Sequence, residues 1–322
     1  MKLKWSDNVN NIGLSSLETN NVNNFTTING LKIRKAMNKP FRYILKKATK
    51  GNTILERYPK LEKDQPYIFA STHSHTEDVI SNLSIIDRNA YVLIGTTDQV
   101  RHNPQMYMAW ANGMIYVNRL DNNNRNEALK KMQWLLDNGT SVLVFVEGGY
   151  NNSENLLCQR PFPGVYRLNV ATGAKIVPIA NFLDPDTNNI YIRVGDPMDL
   201  SIYNKKIALD VLRDSLATMV YEQIEAHTKP LKRASLSYDP HLDYMEARRQ
   251  EYFKVNWTSY EAWKEELTVY KGGLTFPDEV WNFIDKVDIN EKNAKFYGPV
   301  LARKYRENKY SMDRYMQEKW NK

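Results

Sequence analysis

Residues 71–81, "STHSHTEDVIS", put His73, His75, Glu77 and Asp78 within six positions, directly after an apolar run. Such a set can ligate a metal, pair a histidine base with a carboxylate that orients it, or simply start a helix. The spacing joins the last two. Ser74 followed three residues later by Glu77 matches a capping box, and Val79, Ile80, Leu83 and Ile86 supply a buried face for the helix it would open. His73 then falls just before the cap and Asp78 at the fourth helical position, the two places whose side chains meet at a helix entrance. A carboxylate on one imidazole nitrogen fixes the tautomer and stabilises the imidazolium, leaving the other nitrogen to take a proton. Such general-base help is worth about 10²–10⁴ in rate.

Those side chains need elements to aim them. From Tyr67 the chain alternates short apolar runs with longer helical patterns. "YIFAST", "YVLIGTT", "MIYVNR", "SVLVFVEGG", "KIVPIAN" and "IYIRVGD" have the length and the Val, Ile and Tyr content of buried strands. Helical spacing is predicted near 77–87, 103–112, 125–138, 161–173 and 204–227. The alternation implies an α/β fold, a mainly parallel, mixed sheet flanked by helices. In such sheets functional groups gather at the carboxyl ends of the strands. Three ends carry unusual polar residues: His73; Asn118 with Arg119; and Glu147 with Gly148 and Gly149. Three segments are expected: a basic N-terminal stretch over 1–64, an α/β domain over 65–228, and a helical, aromatic-rich C-terminal extension over 229–322.

The blocks taken together resemble a family. H-x4-D from His73 to Asp78, "GMIYVNR" at 113–119, "FVEGG" at 145–149 and "IVPI" at 176–179 follow the order and spacing of the four blocks of the glycerolipid acyltransferases. That family includes the glycerol-3-phosphate and 1-acylglycerol-3-phosphate acyltransferases, and the resemblance spans roughly residues 65–200. It implies the family's fold and a fatty acyl transfer from an acyl thioester to a hydroxyl of a glycerol-phosphate or lysophospholipid-like acceptor. His73 would be the general base and Asp78 its orienting partner. Asn118 and Arg119 would bind the acceptor, the guanidinium forking onto phosphate. Glu147 would bind the acceptor or organise the site, and Gly148 and Gly149 would let backbone approach the substrate. Acyl-CoA or acyl carrier protein would be a co-substrate, with no resident cofactor and no metal. The chain departs from the pattern at Tyr150, where the third block usually has an arginine that helps hold phosphate. A phenol cannot make that bidentate contact, which leaves Arg160 or the basic N-terminal region to supply it, or a different acceptor. His75 replaces a common serine and Thr72 a common asparagine.

Composition bounds the remaining classes. With 322 residues and 42% hydrophobic content the chain can bury a substantial core. One cysteine, Cys158, excludes an internal disulfide framework and Cys-rich metal sites; it is read as inert. No signal-peptide pattern and no run of about 18 apolar residues is seen, so a cytoplasmic protein, peripheral on the inner face of the membrane, is expected. Residues 1–65 hold thirteen Lys/Arg against five Asp/Glu. Within them Ile33, Met37, Phe41, Ile44 and Ala48 share helical spacing opposite Lys35, Lys39, Arg42, Lys46 and Lys47. A helix of this kind suits an anionic membrane surface, or it packs those apolar residues on the protein's own core, which is the expectation. Pro40 should kink or split it. Two rival readings share these residues. "THSHTED" is similar to the zinc-binding loop of metallo-β-lactamase-type hydrolases, with His73 and His75 as ligands; a non-catalytic, peripheral membrane-binding protein would use only the basic charge. No nucleic-acid partner is expected. His102, His227 and His241 show no partner spacing.

Overall fold

The computed structural model describes residues 27–49, 51–75, 77–95, 113–117, 121–149, 151, 157–184, 186–229 and 286. The chain divides into two compact units, Met1–Asn256 and Trp257–Lys322. The predicted C-terminal extension and the predicted helix at 103–112 lie outside the described residues.

All six apolar runs form strands: β2 (Ile68–Ser71), β3 (Ala90–Gly95), β4 (Met114–Val117), β5 (Ser141–Phe145), β6 (Ile176–Leu183) and β7 (Ile190–Val194). A further strand, β1 (Thr53–Arg57), precedes them. It went unread because its "TILER" lies at the sheet edge with Ile54 and Leu55 exposed, so it lacks the apolar run of a buried strand. The sheet order is β1-β7-β6-β2-β5-β3-β4. The five strands from β6 to β4 are mutually parallel, β7 runs antiparallel to β6, and β1 lies parallel to β7. The carboxyl ends of β2, β4, β5 and β6 therefore share one edge. β2 and β5 are neighbours, in the register Ser71 opposite Phe145, while β4 lies two strands beyond β5, roughly 10 Å away at ordinary strand spacing.

Alternate residues of the central strands feed two cores, one on each face of the sheet. Ile68, Ala70, Val142 and Val144 pack with α3 (Asn122–Asp137), α4 (Gly164–Thr172) and α5 (Lys205–His227). Phe69, Leu143, Phe145 and Ile179 pack on the other face with Leu83 and Ile86 at α2 (Asp78–Ile85) and Leu45 of α1 (Ile28–Ala48). Gly113, at φ +105°, lets β4 start tight against α1, since a Cβ there would lie 2.9 Å from both the Arg34 guanidinium and the Tyr91 ring.

The basic helix differs from its expected packing in two ways. α1 is one continuous element through Pro40, which is exposed together with Ala36, the residue whose carbonyl loses its donor, so water can serve that carbonyl. It also docks by another face than expected. Leu31 and Leu45 are buried and Phe41 partly so, whereas Ile33, Met37 and Ile44 are 65%, 44% and 44% exposed. Arg42, assigned to the solvated face, instead donates to the carbonyls of Ser84 and Ile85 at the last turn of α2, where a cation meets the negative end of the helix.

Candidate active site

The loop from β2 into α2 is built around one carboxylate oxygen. Asp78 Oδ2 accepts from the backbone N–H groups of Ser74 (2.9 Å) and His75 (3.3 Å) and lies 2.8 Å from His73 Nδ1. The carboxylate is completely buried, while the His73 side chain is 14% exposed. Because a carboxylate only accepts, Nδ1 carries a proton, and it is Nε2 that can gain or give up the other. Burial by itself pushes the Asp78 carboxyl up. The charge and hydrogen bond of His73, then the charge and backbone N–H of His75, outweigh it and hold the group below the usual aspartate range.

The helix entrance is not the predicted capping box. α2 starts at Asp78 with Glu77 as its N-cap residue and no side-chain cap. The Ser74 hydroxyl donates to the Asn181 carbonyl instead, and Glu77 accepts from the Gly51 N–H. The His73–Asp78 contact thus arises because Asp78 gathers the loop's own N–H groups, a tighter closure than the expected cap. His75 is buried, and its ring Nδ1 accepts from the Glu77 N–H.

Beneath the loop sits a buried polar layer that sequence reasoning missed. Ser71 Oγ accepts from the side-chain amides of Asn82 and Asn181, each at 2.8 Å, and donates to the Thr72 carbonyl. Asn181 N–H donates to Thr72 Oγ1. These residues tie the end of β2 to α2 and β6, and all are at most 2% exposed. The available signal was an asparagine inside each of two otherwise apolar patterns.

The end of β5 supports the same residue from the other side. Phe145 sets its ring against His73, centroids 4.3 Å apart. Glu147, 1% exposed, accepts from the His73 N–H at Oε1 (3.1 Å) and from the Gln159 N–H at Oε2 (2.8 Å). Asn151 N–H donates to the His73 carbonyl at 2.8 Å. The expected acceptor-facing role of Glu147 meets a carboxylate that is buried and already bonded to backbone. Gly148, expected to make room for substrate, makes room for Phe162: at φ +73°, an added Cβ would lie 2.5 Å from that ring. Gly149 is buried.

Asn118 and Arg119, next in the chain after β4, and Tyr150 lie outside the described residues. Arg160 is exposed. The Cys158 thiol is buried and pushed well up, first by burial and then by the Glu147 charge, which suits a packing role. His227, which shows no partner spacing in the sequence, bonds Glu56 through Nε2 at 2.6 Å and stacks on Tyr191; the pairing joins α5 to β1 and β7, which no local spacing could announce. His102 and His241 lie outside the described residues. Among the described residues no three His, Cys, Asp or Glu side chains are grouped to hold a metal ion. The zinc-loop reading would need His73 and His75 to share one metal ion through Nε2, since their Nδ1 atoms are engaged with Asp78 and the Glu77 N–H. No described helix is long and apolar enough to cross a membrane.

Comparison with known proteins agrees with this architecture. Residues 53–181, from the first residue of β1 to Asn181, match the acyltransferase family model. No curated protein matches the chain. Among solved structures, the fold is similar to the crystal structure of the 1-acyl-sn-glycerophosphate acyltransferase PlsC from Thermotoga maritima. The two are 17% identical with a TM-score of 0.50, over 62% of this chain and 84% of that one.

Proposed function

We propose, on the premise that residues 53–181 belong to the acyltransferase family, that this chain moves a fatty acyl group from an acyl thioester to a hydroxyl of a glycerol-phosphate or lysophospholipid-like acceptor. The observation that carries this reading is the 2.8 Å contact of His73 Nδ1 with the buried Asp78 carboxylate at the carboxyl edge of the sheet. His73 Nε2 takes the acceptor's hydroxyl proton as its oxygen attacks the thioester carbonyl. Asp78 stabilises the imidazolium so formed. Collapse of the tetrahedral intermediate breaks the C–S bond, and the leaving thiolate takes the proton from His73, so no covalent acyl-enzyme forms. The donor is acyl-CoA or acyl carrier protein. Arg119 and Asn118 bind the acceptor's phosphate, and the backbone at Gly148 and Gly149 lets the substrate come close.

The reaction takes place at an anionic membrane surface. Ile33, Met37 and Ile44 form an exposed stripe on α1 beside the exposed Lys47, and Lys32, Lys39 and Lys46 are exposed further round the same helix. Apolar side chains flanked by cations suit the boundary between acidic headgroups and acyl chains.

The test is transfer from a labelled long-chain acyl-CoA to glycerol-3-phosphate, lysophosphatidate and a phosphate-free alcohol, comparing the intact protein with His73→Ala and Asp78→Ala. Loss of about 10²-fold or more in both variants is expected. Turnover that survives either change at the intact rate removes the dyad from the mechanism. Success of the neutral alcohol with failure of both phosphates would replace the acceptor class.

A further inference from the structure

We propose that Glu147 is a positioning residue, which holds the backbone of His73 in place and does not bind the acceptor; this rests on the acyl-transfer reading above. The exit of β5 makes three separate contacts with one residue 74 positions earlier in the chain. The Phe145 ring lies against the imidazole, Glu147 Oε1 accepts the His73 N–H, and the Asn151 N–H donates to the His73 carbonyl. Both polar groups of that one peptide position are thereby tied to residues 147–151. Phe145 ends β5, and Glu147 lies in the turn that follows it, closed by the Gly148 N–H on the Phe145 carbonyl.

The second oxygen explains why a carboxylate is required. Glu147 Oε2 accepts the Gln159 N–H at 2.8 Å, on the segment that leads into α4. The side chain thus faces two N–H donors, one with each oxygen, and only an ionised carboxylate accepts at both. Glutamine would keep the shape but turn an NH2 toward one of the two donors, so one bond must break. At 1% exposure the carboxylate is shut off from an acceptor arriving from solvent. Asp78 and Glu147 divide the labour: the first holds the ring nitrogen, the second the backbone that carries the ring. Moving that backbone displaces Nε2 from the acceptor hydroxyl without altering how the acceptor is held, and a misplacement of about 1 Å can cost about 10²-fold in rate.

The experiment uses the full chain, a labelled long-chain acyl-CoA, and glycerol-3-phosphate and lysophosphatidate as acceptors. Glu147→Gln is expected to lower kcat by about 10²-fold and to leave the acceptor KM within about twofold of the intact protein. An acceptor KM raised by about tenfold or more with kcat kept would make Glu147 an acceptor ligand and overturn the proposal. A second measurement needs neither turnover nor the variant. In the intact, 15N-labelled protein the His73 amide should resonate downfield, exchange slowly with deuterium, and stay in place when either acceptor is added to saturation. A fast-exchanging amide, or one that shifts upfield as the acceptor binds, overturns the tether even if Glu147→Gln fails to fold. Absence of acyl transfer from the intact protein to any acceptor would instead sink the activity, with the amide measurement still judging Glu147.

Discussion

Replacing Asp78 with asparagine tests the loop and the chemistry at once. The oxygen Oδ2 serves three donors: His73 Nδ1 at 2.8 Å, Ser74 N–H at 2.9 Å and His75 N–H at 3.3 Å. With asparagine these bonds become neutral, or are lost where the NH2 faces a donor. A hydrogen bond to a charged group contributes about 1.5–3 kcal/mol and a neutral one about 0.5–1.5, so the three together weaken by about 3 kcal/mol. The amide recovers part of this, because burying it costs less than burying a charge. A net loss of about 1–3 kcal/mol is expected, or a fall in Tm of about 2–10 °C for a domain of this size. In catalysis the imidazolium loses its counter-charge, and an NH2 turned to Nδ1 would select the wrong tautomer; kcat should fall by about 10²–10⁴. The pH dependence follows from the sign of the shift. Asp78 titrates below its ordinary value in the folded protein, so its stabilisation is fully present above the unfolded value of about 3.9 and is lost as pH falls through the lower, folded value. Urea unfolding should therefore separate intact and variant proteins near pH 7 and bring them together in strong acid. A kcat within about threefold of the intact value in a folded variant would refute the orienting role. A variant more stable than the intact protein at pH 7 would refute the claim that the gathered bonds outweigh the burial cost.

Two further perturbations probe the frame and the surface. Gly148→Ala should cost about 2–3 kcal/mol, about 1 from its positive φ and the rest from the Phe162 clash; Gly139→Ala, at φ +71° with nothing within 4 Å, should cost only the conformational part, and pairing Gly148→Ala with Phe162→Ala should recover only the steric part. Equal losses for the two single changes in chemical denaturation would discredit the contact. Changing Ile33, Met37 and Ile44 together to serine should weaken binding to phosphatidylglycerol vesicles by at least about 10²-fold, at about 0.8 kcal/mol per buried CH2. Because all three are exposed in the fold, unfolding stability should move by less than about 1 kcal/mol. Unchanged vesicle binding would remove this stripe from the membrane contact.

Much of the frame was readable in the chain because the signals are local. Six strands came from compact apolar runs, and all but one of the flanking helices predicted between 77 and 227 lie where helical spacing put them; the one at 103–112 is outside the described residues. β1 escaped because an edge strand buries too little to need an apolar run. The nearness of His73 and Asp78 followed from a short stretch of chain, yet the cap that was to bring them together is absent. Both are consistent with the same spacing, since a capping side chain and a carboxylate that gathers N–H groups place position 78 near the loop in similar ways.

What the sequence alone determined was therefore the periodicity, the strand ends and the residues that could do chemistry. Which distant groups meet was decided only by the tertiary structure. Glu147 reaches the His73 N–H because β2 and β5 pair in one register, and Asn181 reaches Ser71 and Thr72 because β6 flanks β2 on the other side. α1 carries apolar residues on two faces, and periodicity cannot say which one docks. Packing chose the side with Leu31 and Leu45, of which Leu45 joins the α2 layer and Leu31 the opposite core, let Arg42 reach the last carbonyls of α2, and left Ile33, Met37 and Ile44 on the surface. A local pattern records that a residue is apolar or charged, whereas burial and hydrogen bonding depend on what the rest of the chain brings to it.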